Sequence, residues 1–353
     1  MRKVNIILAI IGLALLSYSC YNEDRLIPSG QFIPSGLPFP QGDNPWDEEI
    51  VKLHDTYGVY VFYKDVTEAL LNREWTSAGT GDIYTGGDLS DDKVQFYLDF
   101  IKNDVFKYVN KELVTKTLPV RLYLLDNFRT RPRIENNDEG GTGTGGTDTG
   151  GTGTGGTGTG GTGGTGTGGT GTGGTGTTDP NFVPFYADGF DYWALSFTDD
   201  EIQNITHEAR RLRSVPFIYR MLKKAVMSEI ITDIDDIREE VDTTKGFRNG
   251  DLTNPNHCFN RGFPEDLSES FNKSNKPWSP SVYFHKTASN YPHGDFLNLI
   301  RTNMWYSLQE LEVKYPQEKY PLIRKRLDIV HKHLLDNYGI DLRAIGANSD
   351  SEQ

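Results

Sequence analysis

A long tract near the middle of the chain, 140–178, consists of glycine and threonine alone, apart from Asp148. Side chains of these two types cannot bury enough apolar surface to build a core, so we expect the tract to be disordered. The rest of the 353 residues suffices for one large domain or two small ones. Any core must therefore form from the two parts of the chain that the tract separates.

The tract joins two segments that both read as strands, one near 120–125 and one at 192–197. Lengthening a short turn to this size costs only about 2 kcal/mol of closure entropy. We therefore interpret 139–179 as a disordered insertion into one domain spanning 44–345. A linker between two domains is the alternative.

The N-terminus carries an export signal. Arg2 and Lys3 precede an apolar run over 4–16, and Ser17, Tyr18 and Ser19 follow before Cys20. A short positive region with an apolar core of this length is typical of a signal peptide and is too short to span a bilayer. The segment 1–20 resembles a bacterial lipoprotein signal, which implies lipid on Cys20 and anchoring in the outer membrane. A plain signal peptide with an incidental cysteine is the alternative.

The segment after the signal, 21–43, is rich in proline, glycine and serine, and we predict a flexible tether. Glu23 and Asp24 stand just behind Cys20 and resemble the acidic signal that sends some lipoproteins to the cell surface. This favours a protein that faces the cell exterior, although a solvated tether would look the same. At the other end, we expect 346–353 to be a disordered tail.

Charge and cysteine content argue against three classes of protein. The net charge of −13 argues against a nucleic-acid partner, because phosphates would repel the chain. The same charge argues against binding to anionic lipid without the acyl anchor. Only Cys20 and Cys258 are present, so a lipidated Cys20 leaves no disulfide framework. We predict Cys258 to be a packed thiol.

The first half of the predicted domain alternates helices and strands. Asn44 before Pro45 is typical of a helix start. A strand is predicted over 59–63, and an apolar stripe over 94–109 indicates one long helix after Ser90.

The second half is mostly helical. Thr198 begins a helix with a capping box, and another helix begins near Pro216 and extends through Glu229. Two helices, 295–311 and 321–337, close the domain. Few strands among many helices predict an α+β fold, with a small mixed sheet packed by several helices.

Several of these segments resemble the zinc-binding metallopeptidase lipoproteins found beside TonB-dependent nutrient uptake pairs in Gram-negative bacteria. The resemblance rests on the lipoprotein signal, the helix after Ser90, and the segments 57–61, 119–124, 223–230 and 338–342. It implies a zincin-like domain. It also implies that a sheet-edge strand, for which 192–197 is the candidate, holds extended peptide by main-chain hydrogen bonds.

In that family one helix carries His-Glu-x-x-His, in which two histidines one turn apart bind zinc and the glutamate polarises a bound water. The matching positions here are Ser228, Glu229 and Thr232. Hydroxyl groups are poor zinc ligands beside imidazole, so only the base, Glu229, remains. The family's downstream acidic ligand maps to Asp295. The resemblance thus implies a degenerate metal site without bound zinc. The alternative is that 228–232 is an ordinary helix end that never held metal.

Other histidines give weaker metal candidates. His257, Cys258, His285 and His293 lie in a loop-rich region and could converge on zinc, but their spacing matches no known pattern. His207 stands one turn before Arg211, and a guanidinium cannot bind a cation, so we read this segment as a solvated helix face.

Aromatic residues in the loop-rich region offer a second type of site. Trp278, Tyr283 and Tyr291 stand among prolines and could stack on sugars or peptides. Packing within the loops is the alternative, and the one we favour. The sequence lacks a phosphate-binding glycine loop and a Gly-x-Ser-x-Gly elbow.

Together these features predict a lipid-anchored, non-catalytic metallopeptidase-like accessory of a nutrient uptake system that binds peptide or glycan. Its expected partners are the outer membrane and, from the resemblance, a TonB-dependent transporter with its surface lipoprotein. Two alternatives remain open: an active zinc metallopeptidase with atypical ligands, and a structural or adhesive surface protein in which the Gly/Thr tract is a spacer.

Overall fold

A computed structural model describes residues 36–72, 83–131, 181–187, 191–241, 251–265, 267 and 293–346. The signal peptide, Cys20, the Gly/Thr tract, Trp278, Tyr283, His285 and Tyr291 lie outside the described residues. The chain divides between Phe39 and Pro40 into two units, and the fold below is that of Pro40–Gln353.

The described ranges contain five strands, β1 (Tyr60–Phe62), β2 (Ile83–Gly87), β3 (Arg121–Arg131), β4 (Phe185–Tyr186) and β5 (Tyr192–Phe197). They form one mixed sheet in the order β1-β3-β5-β4, with β2 pairing along the far half of β3. Strands β1, β3 and β5 are parallel, whereas β2 and β4 run antiparallel to their neighbours.

Ten α-helices occur in the described part of the chain. They are α1 (Pro45–Tyr57), α2 (Glu68–Leu71), α3 (Asp91–Phe100), α4 (Lys111–Thr117), α5 (Asp199–Asn204), α6 (His207–Met227), α7 (Gly294–Trp305), α8 (Leu308–Lys314), α9 (Pro321–Tyr338) and α10 (Leu342–Gly346). A small mixed sheet packed by helices is the predicted α+β fold, and this prediction is confirmed. None of the helices in the described ranges is both long and apolar enough to cross a membrane.

The sheet is covered on both faces, so all six residues of β5 are buried. On one face, Phe197 packs against Tyr97 of α3, and Trp193 packs against Phe217 of α6. On the other face, Tyr192 lies among tyrosine rings and donates to the carbonyl of Leu71 at the end of α2. These contacts fix α6, and with it the candidate site, against the sheet.

The candidate peptide-binding strand at 192–197 is not an edge strand. β5 lies between β3 and β4, and its Ser196 N–H donates to the carbonyl of Pro184 at 3.0 Å. The expected edge position is therefore wrong. The sequence gives no clear signal for the two-residue strand β4, because so short a strand depends on its neighbour for stability.

Two long predicted helices are each broken in the structure. The helix after Ser90 becomes α3, then a π-helical turn over Ile101–Val105 and a 3₁₀ turn. Asp104 in the wide turn pairs with Arg210 of α6 at 2.8 Å. The predicted helix 295–311 divides into α7 and α8, because Ser307 starts a new helix with a capping box.

Candidate functional site

The positions of the predicted metal motif lie past the end of α6. The helix ends at Met227, and Ser228 is its C-cap, with its N–H bonded to the carbonyl of Lys224 at 3.0 Å. Glu229 has left-handed backbone geometry, with φ of 57°, and is exposed. The predicted helix through this position is therefore wrong. Residues 228 and 232 do not face one side of a helix, which is the geometry that a paired metal motif needs.

Thr232 docks against the C-terminal end of α9. Its N–H donates to the hydroxyl of Tyr338 at 2.9 Å, and its own hydroxyl lies 3.1 Å from the same oxygen. The carbonyl of Thr232 accepts from Nε2 of His333 at 2.9 Å. These contacts give Thr232 a structural role in holding the chain after α6 against α9.

Asp295 lies in the first turn of α7 and is completely buried. Both of its carboxylate oxygens accept from Arg238, which follows α6 in a 3₁₀ turn. The Nε–Oδ2 distance is 2.6 Å. This two-pronged arrangement is the strongest form of an arginine–carboxylate pair.

The same guanidinium also binds a second buried carboxylate. Arg238 Nη2 lies 2.8 Å from Asp233 Oδ2, and Nη1 lies 3.1 Å from Oδ1. The Asp233 oxygen is also 2.9 Å from Nδ1 of His293. We call Asp233, Arg238, His293 and Asp295 the Arg238 cluster.

Burial and charge pairing act in opposite directions on Arg238 and Asp295. Burial alone would lower the pKa of Arg238, but its hydrogen bonds to Asp233 and Asp295 outweigh burial and raise it. Burial raises the pKa of Asp295, and Arg238 opposes that rise. The guanidinium is thus the cation that neutralises charge at Asp295.

The cluster is poorly suited to hold a divalent ion. Arg238 bonds to both oxygens of the only predicted acidic ligand, and its positive charge would repel a metal. Across the described ranges there is no group of three or more His, Cys, Asp or Glu side chains arranged to bind a metal. What the arrangement provides is a rigid junction between the chain after α6 and the start of α7.

The structure brings together only some of the predicted site residues. Thr232 and Asp295 lie in the same region of the structure, because Asp233 follows Thr232 and Arg238 bridges Asp233 to Asp295. Ser228 and Glu229 bond to the last turn of α6. Sequence reasoning missed Asp233 and Arg238. The signal available was an arginine placed two to five residues after three aspartates, a pattern common on solvated turns.

Of the weaker zinc candidate, His257 and Cys258 lie in contact, with 3.8 Å between Nδ1 and Sγ, and His285 lies outside the described residues. His257 Nδ1 accepts from the N–H of Phe259 at 3.1 Å, whereas His293 is bonded to Asp233. Cys258 is buried with Phe263, and burial raises the pKa of its thiol to about 11. Burial thus favours the packed, neutral thiol over the thiolate.

Arg211, read from the sequence as part of a solvated helix face, is buried. Its guanidinium stacks on the ring of Trp305, with 5.1 Å from Cζ to the ring centroid, and Nη1 donates to the Trp305 carbonyl at 2.5 Å. The expectation of a solvated Arg211 is wrong, because a long side chain on α6 can reach the adjacent end of α7.

No protein-family model and no curated protein matches this sequence. Among solved structures, the chain is similar to a protein of Bacteroides caccae that is described as a candidate zinc-binding metallo-peptidase. The two share 12% identity with a TM-score of 0.41, and the match covers 88% of this chain and 97% of that one. This level of similarity is too low to carry over a metal or an activity.

Proposed function

We propose that this protein is a lipid-anchored, non-catalytic metallopeptidase-like accessory of a nutrient uptake system, binding peptide or glycan at the outer face of the outer membrane. Three observations support the proposal. They are the lipoprotein-like signal at 1–20, the resemblance of several domain segments to metallopeptidase lipoproteins, and the lack of histidines at the candidate metal positions.

One observation carries the non-catalytic part of the proposal. The predicted acidic ligand, Asp295, is buried and gives both oxygens to Arg238. A catalytic zinc needs three protein ligands and an open position for water. Because Arg238 is bonded to Asp295, this carboxylate offers neither a free ligand nor an open position for water. Ser228 and Thr232 offer only neutral hydroxyls.

The test is to ask whether the purified mature protein retains a peptide without cutting it. Fluorescently labelled casein peptides serve as the probe, with mass spectrometry for cleavage and elemental analysis for zinc. We expect intact peptides and far less than one zinc per chain. Cleavage that a chelator stops, together with near-stoichiometric zinc lost in Glu229→Ala or His285→Ala, would establish the active metallopeptidase instead.

The anchor is tested separately. Metabolic labelling with a fatty acid is expected to mark the wild-type chain and to fail in Cys20→Ala, which should leave the membrane fraction. Equal labelling of both chains, or membrane retention without Cys20, would contradict the anchor without affecting the non-catalytic proposal.

A further inference from the structure

His331 on α9 lies beside the start of α10. Its side chain is only 14% exposed, and its buried Nδ1 has no hydrogen-bond partner among the described residues. Oδ1 of Asp341, the residue before α10, is 3.8 Å from this nitrogen, which is longer than a hydrogen bond. A buried ring nitrogen without a partner is uncommon, because a polar group that leaves water usually regains a hydrogen bond inside the protein.

Two contacts hold the start of α10 in place. Oδ1 of Asp341 accepts from the N–H groups of Arg343 and Ala344, both at 3.0 Å, so this oxygen caps the first turn. The guanidinium of Arg343 is bonded to Asp328 on α9. Each contact therefore contains a charged group that acts on His331.

A positive charge on His331 would meet opposing forces. Burial disfavours the protonated ring, and so does the cation of Arg343. The carboxylates of Asp341, Asp328 and Asp336 favour it, but burial and Arg343 outweigh them, so the pKa of His331 is lowered. Its neutral form thus stabilises the fold at pH values above the unfolded-state pKa, and this stability is lost as the pH falls through the folded-state pKa.

Helix α10 covers the C-terminal end of α7. Its apolar side chains Leu342 and Ile345 are buried. Gly346 lies so close to α7 that an added Cβ would be 3.1 Å from the carbonyl oxygen of Asn303 and 3.3 Å from that of Met304. Release of α10 would therefore uncover apolar side chains together with the last turn of α7.

We propose that the attachment of α10 is a pH-sensitive switch, in which protonation of His331 places a cation beside Arg343, draws Asp341 away from the cap and releases α10 from α7. The helix is held at neutral pH and released at mildly acidic pH. This goes beyond the proposed function and does not depend on it. The inference rests on the unpartnered Nδ1 and on the position of His331 beside both contacts that hold α10.

Hydrogen–deuterium exchange of the mature protein at pH ~5.5 and ~7.5 tests the switch, after correction for the chemical effect of pH on exchange. In the wild type we expect the amides of α10 to lose protection at the lower pH while those of α9 keep it. His331→Gln is neutral at both pH values, so its α10 should stay protected. His333→Gln is the matched control. His333 bonds to the carbonyl of Thr232 instead, so this variant should lose protection at α10 as the wild type does.

An NMR titration of the His331 ring gives a second readout in the wild type itself. We expect the loss of α10 protection to have the same midpoint as this titration. We also expect Arg343→Gln to raise the pKa of His331, because the repelling cation is removed. Equal loss of α10 protection in His331→Gln and the wild type overturns the proposal, as does a wild-type α10 that stays protected after His331 is protonated. Should His331→Gln fail to fold, the two wild-type midpoints decide, and midpoints that differ overturn the proposal.

Discussion

Two carboxylates share one guanidinium inside this domain. The side chains of Asp233 and Asp295 are 1% and 0% exposed, and Arg238 donates to them from all three of its nitrogens. Removing one partner of a buried ion pair costs far more than the pair contributes, because it leaves an uncompensated charge. The junction between the end of α6 and the start of α7 therefore depends on this one side chain.

Arg238→Ala is predicted to lower the free energy of unfolding by about 3–5 kcal/mol near neutral pH. The loss should shrink at acid pH. Burial raises the pKa of Asp295 in the folded state above its pKa in the unfolded state. Protonation of Asp295 therefore stabilises the fold at pH values below the unfolded-state pKa, and this stability is lost as the pH rises through the folded-state pKa. Without Arg238 the folded-state pKa of Asp295 rises further, so the free energy of unfolding depends more steeply on pH. Urea unfolding at pH ~5 and ~8 measures this.

Arg238→Lys is the matched control for charge alone. It keeps the cation but loses the planar fork, so we expect an intermediate loss. Equal stability of Arg238→Ala and the wild type at both pH values would contradict the structural role of the Arg238 cluster.

Gly262 is a position where only glycine fits. Its φ is +83°, and an added Cβ would lie 2.7 Å from Cβ of Leu322 and against the guanidinium of Arg326. Gly262→Ala is predicted to cost about 3 kcal/mol, from left-handed strain and overpacking together. Gly339, with φ of +67° and nothing within 4 Å, is the control, and Gly339→Ala should cost only about 1 kcal/mol. Thermal melts of the two variants compare them, and equal shifts would contradict the packing argument.

At the scale of elements, two helices begin with the same capping box but differ in what lies behind it. Glu201 of α5 and Glu310 of α8 both reach back to a backbone N–H, at 2.9 and 2.8 Å. Glu201 also accepts from buried Arg213 at 3.0 Å. The same local motif is therefore a cap at one helix and a cap plus a buried ion pair at the other.

Glu201→Ala is accordingly predicted to destabilise the protein by about 3–5 kcal/mol. Glu310→Ala removes only the cap and should cost about 1 kcal/mol. Chemical unfolding of both variants gives the comparison. Similar losses for the two would mean that Arg213 finds another partner or that its charge is not buried in solution.

The elements that local signals specify were predictable, and those that depend on distant partners were not. Asn44 before Pro45, the box at Thr198, and Gly339 after α9 all mark helix ends in the structure. Strands β2 and β4 are short and depend on β3 and β5 for stability.

The same limit applies to the candidate site. No proline or glycine marks the end of α6 at Met227, and the apolar periodicity continues past it. The pairing of Arg238 with Asp295 spans a long stretch of sequence, so no local pattern could reveal it. It stays a prediction that an ancestral protein bound metal at Ser228, Glu229, Thr232 and Asp295.

At the scale of the whole molecule, the chain leaves the sheet and returns to it at one place. β3 ends at Arg131, and the N–H of Thr130 donates to the carbonyl of Asn181 at 2.9 Å. Arg129 bridges to Phe182 in antiparallel fashion. The two ends of the segment 132–180 are therefore neighbours on the sheet.

Replacing 132–180 by a four-residue turn is predicted to leave the fold intact and to raise stability by about 2 kcal/mol, through a smaller closure entropy. Thermal unfolding and circular dichroism check this. Loss of the folded state would show that the segment contributes to the domain. If the shortened chain still binds its peptide or glycan but no longer attaches to cells, the spacer interpretation is favoured.

The most direct test of a non-catalytic site is the anomalous zinc signal in crystals of the mature protein soaked in zinc. The account predicts Arg238 bonded to both oxygens of Asp295 and no zinc peak beside that carboxylate. A zinc ion bound to Asp295, with Arg238 displaced, would contradict it.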